Sequence, residues 1–212
     1  MLDNFCVYLD AGHGGLDPQG NYVTAPSKMF RHRQGTFHDG STFYEGVWNR
    51  TLTNRVAMKL KRLDITYKFL HHEYVDLSLP YRAQTANWYH TNYREGIVIS
   101  NHANASGAGT ARGFEVYTTP GVTQSDTLAE MLWMQVTRLL SDQIRLRPDL
   151  TDQDHDKEAR FYILRKTLMP AILVEHLFFD NYEDAKLLMN DYIIDMFAEA
   201  QVRAIIEFAT RE

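Results

Sequence analysis

The chain has one cysteine, Cys6, among 212 residues. A single thiol excludes an internal disulfide framework and a cysteine-rich zinc finger. Cys6 lies in the apolar run Phe5-Cys6-Val7-Tyr8-Leu9 and is read as a buried thiol. No stretch reaches the roughly 20 apolar residues needed to span a bilayer. Met1-Leu2-Asp3-Asn4-Phe5 lacks the basic start and apolar core of a secretory leader. The expectation is synthesis in the cytoplasm without a signal peptide, no membrane anchor, and action only after release. Positive charge is not in excess: the net charge of −5 offers no basic footprint for nucleic acid. Repeats and low-complexity linkers are also missing.

Hydrophobic residues make up 44% of the chain and charged residues, spread throughout, 23%. That balance suits one well-cored domain. Strand and helix patterns alternate, which predicts an α/β domain with a central, mostly parallel or mixed sheet and helices on both faces. Strands are expected at 5–9, 65–70, 97–99, 113–118, 161–164 and 171–174. Helices are expected from Glu45 (Trp48, Leu52, Val56, Leu60 and Leu63 facing the core) and from Pro80 through Tyr89. A third, capped by Ser125 or Asp126, carries Leu128 to Leu140, and a fourth runs from Asp191 with Ile194, Phe197, Ile205 and Phe208 inward. Trp48, Trp88 and Trp133 are read as core residues.

Three apolar runs end on side chains that bind metals or protons. Phe5 to Leu9 leads into Asp10-Ala11-Gly12-His13-Gly14-Gly15, residues 97–99 lead into Ser100-Asn101-His102-Ala103-Asn104, and residues 171–174 lead into Glu175. In α/β sheets ligands bind beyond the carboxyl ends of the strands. His13, His102 and Glu45, which opens a helix, offer a His₂Glu set of the kind that holds zinc with one position open. Glu175, partly desolvated, would then be a general base and acid. Taken singly, each residue has a plainer reading. A histidine after a strand serves as a loop residue, Glu45 as an ordinary first-turn acid and Glu175 as a buried, hydrogen-bonded carboxylate. The spacing is long-range, unlike H-E-x-x-H, and chemistry alone leaves both readings open.

These segments resemble the zinc-dependent N-acetylmuramoyl-L-alanine amidases of the amidase-3 type, and the resemblance runs nearly end to end. Asp10 to Gly15 with Asp17-Pro18 is similar to the family's opening motif. Tyr44-Glu45-Gly46-Val47-Trp48-Asn49 resembles its second-ligand motif. Asp76-Leu77-Ser78-Leu79 with Arg82 and Ala86-Asn87 resembles its second-helix motif, and Ser100 to Ala105 its third-ligand motif. Leu164-Arg165 and Met169 to Glu175, continued by Phe179-Asp180-Asn181 and Glu183-Asp184, resemble the strand bearing the catalytic Glu. The resemblance implies one Zn²⁺ held by His13, Glu45 and His102 at the C-terminal edge of the strands, with Glu175 catalytic. The implied reaction is hydrolysis of the amide between N-acetylmuramic acid and L-alanine of peptidoglycan. Asn104, Arg165 and Tyr117 are candidate substrate contacts.

The chain departs from the family in three places. An extended loop at about 16–44, carrying Lys28, Arg31, His32, Arg33 and His38, is read as an ordinary solvated loop, with one wall of the cleft as the alternative. His71-His72 stand where Thr-Arg is commoner, and His176 follows Glu175 where a small or apolar residue is commoner; His176 is expected to point away from Glu175 and to be structural. Asp152 to Asp156 starts like a calcium loop but has Lys157 at its sixth position. Residues 142–160 are read as too short and charged to block a site, so an open one is expected. Residues 1–212 read as one amidase domain without a wall-binding module, a monomer, which favours a phage or prophage endolysin with a holin-type release partner. The rivals are a non-catalytic peptidoglycan-binding module and a zinc peptidase that cuts within the stem peptide.

Overall fold

Buried β-branched and aromatic runs make the sheet, and polar residues begin where each run ends. The computed structural model describes residues 4–151 and 153–211. In chain order it has β1 (Phe5–Ala11), β2 (Met29–Arg31), β3 (Thr42–Tyr44), α1 (Glu45–Arg62), β4 (Tyr67–Phe69), α2 (Leu79–Asn92), β5 (Glu95–Asn104), β6 (Glu115–Thr118), α3 (Gln124–Leu140), β7 (Lys157–Glu158), α4 (Tyr162–Lys166), β8 (Ala171–Phe178), α5 (Tyr182–Leu188) and α6 (Asp191–Thr210). The main sheet has the order β4-β1-β5-β8-β6-β7. Neighbours β4, β1, β5 and β8 pair in parallel, β6 runs antiparallel to β8, and β7 is parallel to β6. This is the expected α/β domain.

The pleat divides the core. Val7, Leu9, Ile97, Ile99, Ile172 and Val174 pack under α1, α3 and α6, while Cys6, Tyr8, Val98, Ala171 and Leu173 pack against α2 and α4. Such alternation follows from the two-residue period of a strand. In α1, Trp48, Leu52, Val56 and Leu60 are buried at helical spacing, and the indole N–H of Trp48 donates to the Leu188 carbonyl at 2.6 Å. Leu63, however, is the helix C-cap and half exposed. In α6, Ile194, Phe197, Ile205 and Phe208 face the core as expected. No helix among the described residues is long and apolar enough to cross a membrane.

Several expectations fail for identifiable reasons. Residues 161–164 enter the helix α4 rather than a strand; a four-residue apolar run has no period to tell the two apart. Strand 65–70 shrinks to Tyr67–Phe69, because the edge position offers a partner on one side only. Gly113, at φ 118, keeps 113–114 out of β6. Thr123, not Ser125 or Asp126, caps α3: its hydroxyl accepts the Ser125 N–H at 3.0 Å while Asp126 takes the Thr123 N–H. Trp48 and Trp133 are buried, but Trp88 is 60% exposed. The loop at 16–44 is not a solvated excursion. It contains the β2–β3 hairpin, buries His32, Phe37 and Phe43, and sends His32 Nε2 to the Phe179 carbonyl at 2.9 Å. The possible calcium loop begins at Asp152, outside the described residues.

Candidate metal centre and active site

On the α2/α4 side of the pleat, side chains change from apolar to polar toward the strands' carboxyl ends. Tyr8 is followed two residues later by Asp10, Val98 by Ser100 and His102, and Leu173 by Glu175. Register aligns them: His102 pairs with Glu175 across β5–β8, and Glu175 with Glu115 across β8–β6. Three ionisable side chains thus stand side by side on one rung. Ser100 Oγ donates to Asp10 Oδ2 at 2.7 Å one rung below.

His13 follows β1 in the left-handed region, at φ 64. This conformation is uncommon for a non-glycine residue and persists only where its surroundings over-determine it. Here the His13 carbonyl accepts from Arg50 Nη2 at 2.8 Å and from Arg82 Nη2 at 3.0 Å. Gly12 is needed for the approach of His102: a Cβ there would lie 2.0 Å from the His102 ring. Arg82 is buried on α2, its Nη1 bonded to Asp10 Oδ1 at 2.5 Å and to the Ala11 carbonyl at 2.7 Å. Burial alone would raise the Asp10 pKa, but the Arg82 charge and the Ser100 and Arg82 hydrogen bonds hold it below the usual carboxylate range. Arg82→Met should therefore strand a buried carboxylate and cost about 3–5 kcal/mol. Urea midpoints check this, and adding Asp10→Asn should recover part of the loss; an unchanged midpoint would mean the pair is dispensable.

Glu45 is the first residue of α1, where a carboxylate faces the helix dipole. The helix start is held by the insert: Gly46 N–H donates to the Tyr22 hydroxyl at 2.9 Å and Tyr44 N–H to His38 Nδ1 at 2.9 Å. Asn49, one turn on, donates to the Gly12 carbonyl at 3.0 Å and so ties α1 to the end of β1. Glu45 Oε1 then lies 3.2 Å from His13 Nε2 and 3.0 Å from His102 Nδ1. One donor atom from each of these three residues falls within 4.8 Å of the others. Buried His13 Nε2 and Glu45 Oε2 have no well-formed hydrogen bond among the described residues. Lone pairs that face one another out of water need a proton or a cation between them. Burial would depress His102, but the Glu45 hydrogen bond and the charges of Glu175 and Glu45 raise it. Burial would raise Glu45, but hydrogen bonds to His102 and His13 lower it. Two imidazoles and one carboxylate in this arrangement are a donor set that fits zinc.

Glu175 completes the group. Burial lifts it well above the ordinary carboxylate range, with Glu45 and Glu115 adding to the rise and His102 and Lys28 opposing it. Its Oε2 has no hydrogen-bond partner among the described residues. His13, His102 and Glu175 line a cleft of about 510 Å³, walled also by Leu77, Leu79, Phe161, Tyr162 and Ile163. None of the described residues of 142–160 lines it.

The other candidates lie elsewhere. Asn104 and the Tyr117 hydroxyl each bond Glu115 Oε2 at 2.8 Å, so their polar ends are occupied by a neighbour and neither lines the cleft. Arg165 is exposed on α4, which turns the neighbouring Tyr162 and Ile163 into the cleft instead. His176 points to the opposite face, as expected. Its Nδ1 meets the His102 carbonyl at 3.0 Å and its Nε2 meets Gln201 at 3.0 Å, so it braces a candidate ligand from behind. The supports Arg50, Tyr22 and Gln201 went unread because nothing local in the sequence separates them from surface or core residues.

Three imidazoles, His176 buried and His38 and His71 half-buried, should make the fold acid-sensitive. Burial depresses His38 and His71 to about 4 and His176 to about 3. His71 Nδ1 accepts the Ala11 N–H at 3.1 Å, which requires the neutral ring. With unfolded values near 6.5, the unfolded chain binds more protons between about 6.5 and 4. The stability these rings support is complete above that window and is lost as pH falls through it. At pH 5 His38 and His71 should each cost ~2 kcal/mol. Thermal midpoints between pH 7 and 5 test this, and a flat profile would contradict it.

The sequence profile of the N-acetylmuramoyl-L-alanine amidases, Amidase_3, matches residues 7–207. An endolysin of Bacillus phage SPP1 is 27% identical over 95% of this chain and 65% of its own length. N-acetylmuramoyl-L-alanine amidase CwlM of Bacillus licheniformis is 27% identical over 94% of this chain and 66% of its own. The chain therefore spans just under two thirds of these relatives. A solved N-acetylmuramoyl-L-alanine amidase from Clostridium difficile 630 superposes with a TM-score of 0.73 at 24% identity, covering 98% of each chain, and Ami1 from Mycobacterium smegmatis also gives 0.73, at 21%. Those two likenesses concern the fold. With a family profile running from β1 into α6, the chain belongs to the Amidase_3 family of N-acetylmuramoyl-L-alanine amidases.

Proposed function

We propose that the protein is a zinc-dependent peptidoglycan amidase that hydrolyses the bond between N-acetylmuramic acid and L-alanine. The observation that carries this reading is the convergence of His13, Glu45 and His102 beside the Glu175 carboxylate, whose buried Oε2 has no hydrogen-bond partner among the described residues. Family membership supports the choice of substrate. His13, Glu45 and His102 would hold the metal. Zinc, when bound, supplies Lewis acidity toward the scissile carbonyl and toward water. Glu175 Oε2, with no other partner, accepts a proton from the attacking water and delivers it to the leaving amine of L-alanine. Its raised proton affinity suits both halves of that transfer. Leu77, Leu79, Phe161 and Ile163 exclude water from the cleft walls and strengthen the electrostatics inside.

The test is digestion of purified peptidoglycan by zinc-loaded protein. Amidase action frees L-alanine amino termini and leaves muramic acid without peptide. New amino termini on other stem residues would mean a peptidase instead. Binding without cleavage across several wall types would mean a binding module.

A further inference from the structure

Lys28 enters the cleft from the insert, and none of the roles above uses it. It ends a short 3-10 turn, and its carbonyl accepts the Tyr22 hydroxyl at 2.8 Å. That same hydroxyl holds the Gly46 N–H, so Lys28 is fixed against the start of α1. Its side chain, 38% exposed, lines the cleft that holds His13, His102 and Glu175. Nζ lies 3.7 Å from Glu45 Oε2. That is an ion-pair distance, too long for a hydrogen bond. The other cation lining the cleft, Arg82, is committed to Leu77, Asp10, Ala11, His13 and Asp76. Among the described residues, Lys28 is thus the cleft cation with its hydrogen-bond donors unused. A metal on Glu45 would neutralise its nearest counter-charge and repel the ammonium toward the mouth. A flexible stem with a point charge can follow.

The substrate restricts which anion it meets there, on the reading that the site cuts beside muramic acid. The lactyl carboxyl is consumed in the scissile amide, and the sugar is otherwise uncharged. The L-alanine carboxyl is consumed in the next peptide bond. We propose that Lys28 recognises the free α-carboxylate of the stem residue that follows L-alanine, in stems where that residue is joined onward through its side-chain carboxyl, so that this cleft selects acidic over amidated stem peptides. A charge-assisted contact at a partly exposed site supports about a tenfold preference.

The experiment uses two muramoyl tripeptides that differ only in a free α-carboxylate or its carboxamide on the second residue. Zinc-loaded wild type should cleave the acid with kcat/KM about tenfold higher, the difference lying in KM. Lys28→Met should bring the ratio to about one, and Lys28→Arg should keep it. Calorimetric Kd values for both tripeptides in a Glu175→Gln background should show the same preference and its loss with Lys28→Met. Zinc content and thermal midpoints are measured for every variant, and Lys28→Gln replaces Lys28→Met if the latter fails to fold. Equal values for both substrates in the wild type, or a ratio that survives Lys28→Met, would overturn the assignment. Cleavage of neither tripeptide would overturn the amidase reading instead, and the Kd comparison would still decide the role of Lys28.

Discussion

Glu175→Gln is expected to lower amide turnover by about 10²–10⁴-fold while zinc content stays at the wild-type level. The substitution keeps the shape and removes only the capacity to take up and return a proton. Glu175 is half-buried and stands beside His102 in the β5–β8 register, and its Oε2 has no hydrogen-bond partner among the described residues, so no bond from that oxygen is lost. Removing a carboxyl that burial already disfavours as an anion should leave the thermal midpoint equal or slightly higher. Turnover is read as L-alanine amino termini released from peptidoglycan, with zinc measured in the same samples. A variant that keeps more than about a tenth of wild-type turnover would fall short of any general-base contribution of this size and would assign the proton transfer to another group.

Glu45→Gln should abolish stoichiometric zinc binding and, with it, turnover. Gln fills the same space at the start of α1 but supplies no negative charge between His13 and His102. The loss of affinity should exceed the roughly 10–100-fold seen when only an outer support of a metal site is changed. A stability measurement separates loss of metal from loss of fold. Zinc at about 100 times its Kd should stabilise the wild type by ~2.7 kcal/mol through mass action. The variant should melt at the same temperature with and without zinc. An equal zinc-induced shift in both proteins would remove Glu45 from the ligand set.

The strands that carry the site were legible because β1, β5 and β8 are buried on both faces and read as unbroken apolar runs. Their ends were legible because a polar residue after such a run lies at the sheet edge. That reasoning brought His13, His102 and Glu175 to one place and added Glu45 from its helix start, and the motif resemblance chose between the readings chemistry had left open. It did worse where local pattern and tertiary context diverge. Tyr162 to Lys166 is too short to reveal its period and is helical because it packs on α2. The insert looked solvated by composition, yet the contact of His32 with Phe179 spans 147 residues, beyond any local signal. Asn104 and Tyr117 stand close to the site but serve Glu115, whose two cationic partners, Arg147 and Lys157, lie far along the chain. Their proximity was readable; the direction of their polar ends was not.

The rung shared by His102 and Glu175 acts as a ruler. Strand spacing of about 4.8 Å sets the interval between the candidate ligand and the candidate proton carrier, and neighbouring backbone hydrogen bonds keep it fixed. Neither residue can move relative to the other without shearing two central strands. Redesign of the cleft is therefore confined to its walls, the insert on one side and α2 with α4 on the other. Altered preference for substrate belongs to those soft parts, while the reaction geometry stays as rigid as the sheet.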